Sequence, residues 1–180
     1  MIEILGAGVA DTGGAWVFRR LCARIESPSF VGVVSTDGMV RSALFDIVTG
    51  ARIADEGRVW VDRMPVMADT RRRLQSRVAD LRRPGRARSR QVRATQDRGA
   101  SIRLEVSAAV ARGQTHVILP DLDGLLEAVD RTALVEVARN LVRASCVSVF
   151  VGATDPEPLR GVADRILIFA RTSSERQRVS

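Results

Sequence analysis

A chain of 180 residues with 46% hydrophobic and 27% charged residues has the makeup of an ordinary globular domain, long enough to bury a substantial core. No apolar run approaches the roughly 18 residues that span a bilayer, and Met1 to Gly6 lacks the basic and apolar regions of a secretory leader, so the expectation is a cytoplasmic protein. The net charge of +7 is carried without a single lysine, and it is uneven: residues 71–98 hold eleven arginines against Asp80 and Asp97, which leaves −2 for the rest.

In chain order, Ile2 to Leu5 and Trp16 to Ile25 alternate apolar and polar residues around the turn Asp11 to Gly14, which predicts two antiparallel strands. Phe30 to Val34 is a continuous apolar run, the pattern of a strand buried on both faces of a parallel sheet. Arg41 to Thr49 has helical spacing and stops at Gly50, and Asp55 to Asp62 reads as a turn followed by a short strand. Thr70 to Leu81 is predicted as a helix with one very basic face. Pro84 to Gln96 is a polar, arginine-rich insert expected to be mobile. A helix is predicted over Ala100 to Arg112, a buried strand over Thr115 to Leu119, and a long amphipathic helix over Leu125 to Ala144. Val147 to Val151 is a third buried strand, Pro158 to Asp164 a short helix, and Arg165 to Phe169 a last strand; residues 171–180 form a polar tail. Strands alternating with helices predict one α/β domain over 1–180, mainly parallel, with an antiparallel N-terminal portion.

The chemistry concentrates after the first buried strand. A phosphate-binding loop reads G-x-x-x-x-G-K-[ST], because glycines let backbone N–H groups close around phosphate and the lysine neutralises its charge. Here Ser35 stands at the first glycine, Val40 at the last and Arg41 at the lysine, while Gly38 and Ser42 are kept. Arginine keeps the charge, but its planar fork is larger than an ammonium. Cys22 and Cys146 have no metal or redox spacing and are expected to be buried, reduced thiols, and His116 at the start of a strand is expected to be structural.

Four blocks in this order resemble the ATP-binding cassette (ABC) family of transporter ATPases over nearly the whole chain. Val31 to Phe45 with Ile47 to Gly50 resembles the Walker A strand, loop and helix, and Asp55 to Asp62 the segment that follows. Ala109 to Gly113 with His116 to Leu125 resembles the helix after the signature, Walker B and the D-loop. Val149 to Pro156 with Val162 to Ile168 resembles the switch-histidine strand and the last strand. The fold so implied is a P-loop NTPase-like, mainly parallel sheet flanked by helices, with an antiparallel N-terminal β portion. The helical subdomain is truncated, replaced by the insert 84–96.

The resemblance implies ATP and Mg²⁺ as ligands, and the functional positions depart from it. Walker B should offer two acids, one for Mg²⁺ and one to orient water; Asp121 takes the second place or neither acid matches. Ala43 replaces the second hydroxyl of the P-loop, Gly99 is the remnant of the signature loop, and Thr154 stands at the switch histidine. Trp16 could stack on adenine but reads better as a core or sheet-face residue. The leading expectation is a catalytically inactive, degenerate ATPase, with no cofactor, serving as a structural or regulatory partner. Its partner would be a second copy or an intact ABC ATPase, placing it at the inner face of a membrane through a transporter complex. A divergent working ATPase is the first alternative. The second is a basic adaptor that docks on nucleic acid or an anionic surface through Arg71, Arg72, Arg73, Arg77, Arg82, Arg83, Arg86, Arg88, Arg90 and Arg93.

Overall fold

A computed structural model describes residues 1–82, 98–124 and 128–169. The predicted insert 84–96 and the tail 171–180 lie outside these residues, as do Arg83, Arg86, Arg88, Arg90 and Arg93. Strand β1 (Ile2–Ala10) pairs antiparallel with β2 (Trp16–Ile25) and with β4 (Glu56–Val61), and the hairpin strand β5 (Met64–Pro65) completes a sheet of order β2-β1-β4-β5. A second, wholly parallel sheet has the order β6-β7-β8-β3-β9, from β3 (Phe30–Val34), β6 (Val78–Asp80), β7 (His116–Ile118), β8 (Ser148–Ala153) and β9 (Arg165–Ile168).

Helix α1 (Gly38–Val48) is buried nearly all round because it lies between the two sheets. Its Leu44, Phe45, Ile47 and Val48 share one core with Ile2 and Ile4 of β1, Val31 and Val33 of β3, Ile118 of β7 and Phe150 of β8. The alternating residues Phe30 and Val34, Val117, and Val149 and Val151 face the other way. They pack with Ile102, Val106 and Ala109 of α3 (Arg98–Ala111) and Leu134, Ala138 and Leu141 of α4 (Ala128–Ser145). This two-sided burial is why β3, β7 and β8 read as unbroken apolar runs.

Three expectations are corrected. The helix expected over 70–81 ends early: α2 spans Arg71–Arg77, and Val78–Asp80 is an edge strand paired in register with His116–Ile118. The pairing satisfies the backbone of Val78 and Ala79 in the sheet and buries both residues, which outweighs their local helical pattern. The helix after β3 starts at Gly38 rather than Arg41, for the capping reason given below. Both cysteines are free and exposed: Cys22 is on edge strand β2, and Cys146 has φ +53° in the turn between α4 and β8.

His116 is fully buried at the N-terminal end of β7, with Nε2 3.1 Å from Asp62 Oδ2. The His116 imidazole beside it, then the N-terminal ammonium and the Thr115 hydroxyl, hold the Asp62 carboxyl well below the usual carboxylate range, against the opposing cost of burial. A carboxyl whose pKa is lower in the folded state stabilises fully above its unfolded value of about 4 and loses that contribution as pH falls through the folded value. Urea titrations from pH 6 downwards are therefore expected to lose stability below about pH 4, and Asp62→Asn to flatten that loss by on the order of 1 kcal/mol, screened by its partial exposure. An unchanged acid limb in Asp62→Asn would remove Asp62 as its source.

Candidate functional site

The site forms at the C-terminal ends of β3, β7 and β8, where open parallel sheets place their ligands. Between Val34, the last residue of β3, and Gly38, the first of α1, only Ser35, Thr36 and Asp37 remain as loop. Asp37 is the N-cap: its Oδ1 accepts from Met39 N at 2.8 Å and its carbonyl from Val40 N at 3.2 Å. An aspartate there suits both the free N–H groups and the positive end of the helix dipole. The helix thus claims Gly38 to Val40, residues that a phosphate-wrapping loop leaves unwound. Val40 needs no unusual backbone, and Gly38 is not among the glycines of positive φ.

Arg41 turns inward, and its side chain is only 8% exposed. Nε donates to Asp121 Oδ2 at 2.9 Å, and Nη2 lies 3.1 Å from Asp123 Oδ2. Nη1 donates to the Ser35 carbonyl oxygen and reaches Thr154 Oγ1 at 3.5 Å. Thr154 in turn donates to Asp123, from its backbone N at 3.1 Å and its hydroxyl at 2.5 Å. A buried guanidinium is tolerable only when its N–H groups meet charge and hydrogen-bond acceptors, and this one meets two carboxylates, a carbonyl and a hydroxyl. Gly152, in β8, makes room: a Cβ there would lie 2.1 Å from Asp121 Oδ1 and 3.2 Å from Arg41 Cδ.

Of the residues expected from sequence, the structure gathers Arg41, Asp121 and Thr154, with Gly38 adjacent to the Arg41 fork. Ser42 is exposed outside the cluster, and its carbonyl accepts from Arg82 Nη1 at 3.4 Å. Gly99 falls in the first turn of α3, inside a helix. Arg71, Arg72 and Arg73 are exposed on α2, and Arg77 lies 3.6 Å from Asp62. Arg82 is used internally: it pairs with Asp80 and Asp46 at 2.7 Å each, and its guanidinium sits 5.1 Å from the centroid of the Phe45 ring. Burial opposes the Arg82 charge, but Asp80 and Asp46 outweigh it and raise its pKa. Trp16 is 39% exposed on β2 and stacks with Arg19 at 4.6 Å, as expected of a sheet-face residue.

Sequence reasoning missed Asp123, the Ser35 carbonyl and Gly152. For Asp123 there was a signal, an acid two residues beyond Asp121 after a buried strand; the other two depend on backbone approach.

Asp121 and Asp123 are engaged by Arg41, and the Met39 and Val40 amides at the start of α1 by Asp37. Among the described residues no group of three or more metal-ligating side chains occurs.

No family model matches the chain, and no curated protein matches it. Solved structures do. The chain is similar to CbiO1 from Clostridium perfringens, part of the ABC transporter complex CbiONQ, with a TM-score of 0.78 and 10% identity, covering 93% of this chain and 83% of that one. It is also similar, in each of two dimeric structures, to the ATP-binding cassette MJ0796, one of them bound to ADP and phosphate, with a TM-score of 0.73, 14% identity and 94% coverage of both chains. The architecture of this chain, an antiparallel sheet over a five-stranded parallel sheet with α1 between them, is that of the ATPase cassette of ABC transporters in a shortened form.

Proposed function

We propose that this chain is a catalytically inactive ABC-cassette-like subunit that acts as a structural or regulatory partner in a protein assembly. One observation carries the reading: the two carboxylates that follow β7, Asp121 and Asp123, are committed to the chain's own Arg41, at 2.9 and 3.1 Å. Phosphoryl transfer works by positioning and electrostatic stabilisation, so a site whose acids hold an internal cation has neither for Mg²⁺ or water. Loss of one catalytic group already costs orders of magnitude in rate. The similar cassettes include a component of a transporter complex and a dimer, which supports pairing with a second copy or with an intact ABC ATPase. In a transporter complex such a subunit sits in the cytoplasm against the inner face of the membrane. No helix among the described residues is long and apolar enough to cross it.

The test uses the full chain with Mg-ATP at about 1 mM, the top of the usual KM range. Calorimetry is expected to register no binding heat, and a phosphate-release assay no turnover above buffer. Turnover by the wild type that vanishes in Arg41→Met would reverse the reading in favour of a divergent ATPase.

A further inference from the structure

The Arg41 cluster has a property that inactivity alone does not require. Its cation is buried, with 8% of the side chain exposed, whereas its covering carboxylates touch solvent, at 28% for Asp121 and 39% for Asp123. Both acids come from the short stretch 121–124, which ends in a 3₁₀ turn (Leu122–Gly124). One meets the guanidinium at Nε and the other at Nη2. A planar fork of this kind is a receptor for carboxylate or phosphate oxygens.

We propose that residues 121–124 form an autoinhibitory lid, in which Asp121 and Asp123 serve as internal counter-anions where an oligophosphate would otherwise meet Arg41. The inference rests on the reading of this site as one that does not hold Mg-ATP, and it adds what keeps the site shut. Gly152 is the floor on which the lid sits, since any side chain there would collide with Asp121. Thr154 latches the lid through its two hydrogen bonds to Asp123. The occluded ligand class is a linear polyanion with at least two phosphoryl groups, long enough to replace both carboxylates. Asn at both positions keeps a carbonyl oxygen for hydrogen bonding while removing the competing charge.

Tripolyphosphate is the probe, titrated calorimetrically into the full chain without metal, with folding checked by circular dichroism. The wild type is expected to bind weakly or not at all. Asp121→Asn/Asp123→Asn is expected to bind at least about tenfold more tightly, with affinity falling as salt rises, and adding Arg41→Gln is expected to abolish the gain. A folded double variant that binds no better than wild type overturns the lid, and so does a gain that survives Arg41→Gln. Should the double variant fail to fold, Asp123→Asn alone carries the test, because its carboxyl is the more exposed; it is expected to show a partial gain, and no gain overturns the proposal. These outcomes are separable from failure of the functional reading, which shows only as Mg-ATP turnover by the wild type.

Discussion

Arg41→Met is expected to lower the free energy of unfolding by about 3 kcal/mol in urea denaturation, with little change in the slope against denaturant. The guanidinium is the buried member of the cluster, and its loss leaves Asp121 and Asp123 without their counter-charge. Breaking a buried ion pair from one side costs roughly 3–5 kcal/mol, and the partial exposure of both carboxylates places this case at the lower end. In the Asp121→Asn/Asp123→Asn background the same change should cost less than about 1 kcal/mol, because no stranded charge remains. The difference, a coupling of about 2 kcal/mol, is the quantity that isolates the ion pair from packing. Equal costs in the two backgrounds would mean that Arg41 contributes only its bulk.

Gly57→Ala is expected to be comparably damaging, about 2–5 kcal/mol, for a reason unrelated to charge. Gly57 has φ +75°, and a Cβ there would lie 2.3 Å from the Gly6 carbonyl oxygen and 2.5 Å from that of Leu5. Those atoms are backbone of the neighbouring strand β1, at the place where the β1–β4 register shifts between Leu5 and Gly8. No rotamer change relieves such a contact, so overpacking of roughly 1–3 kcal/mol adds to the left-handed strain of roughly 1–2 kcal/mol. A melting temperature lower by about 10 °C or more is the corresponding thermal readout. Gly161→Ala is the control: its φ is +71°, but nothing lies within 4 Å of the added carbon. It should lose only the strain, about 1 kcal/mol. Similar losses at the two glycines would show that the β1 backbone yields.

The elements that sequence reasoning places well are those whose environment is uniform along their length. Phe30 to Val34 and Val147 to Val151 are buried on both faces, so every residue reports the same thing, and the boundaries of β3 and β8 shift by at most two residues. The long helix α4 is likewise legible from Leu134, Val137 and Leu141. Reading fails where a distant partner outweighs the local pattern. Val78 to Asp80 continue a helical spacing, yet the edge of β7 is available to them and α2 ends at Arg77. Gly38 looks like a loop glycine until Asp37 caps the amide of Met39 and starts the helix.

The same division runs through the site. That the loop after β3 lacks its framing glycines and its lysine is a matter of residue identity, and the strand–helix alternation follows from local periodicity; the chain by itself determined both. That Arg41 turns inward was decided only by tertiary structure. Its partners Asp121 and Thr154 stand 80 and 113 residues away along the chain, and they converge because β7, β8 and β3 lie side by side and parallel, so that the chain leaves all three at the same end of the sheet. No local rule encodes that adjacency. Burial then makes the pairing obligatory, since a guanidinium removed from water must find its counter-charges nearby.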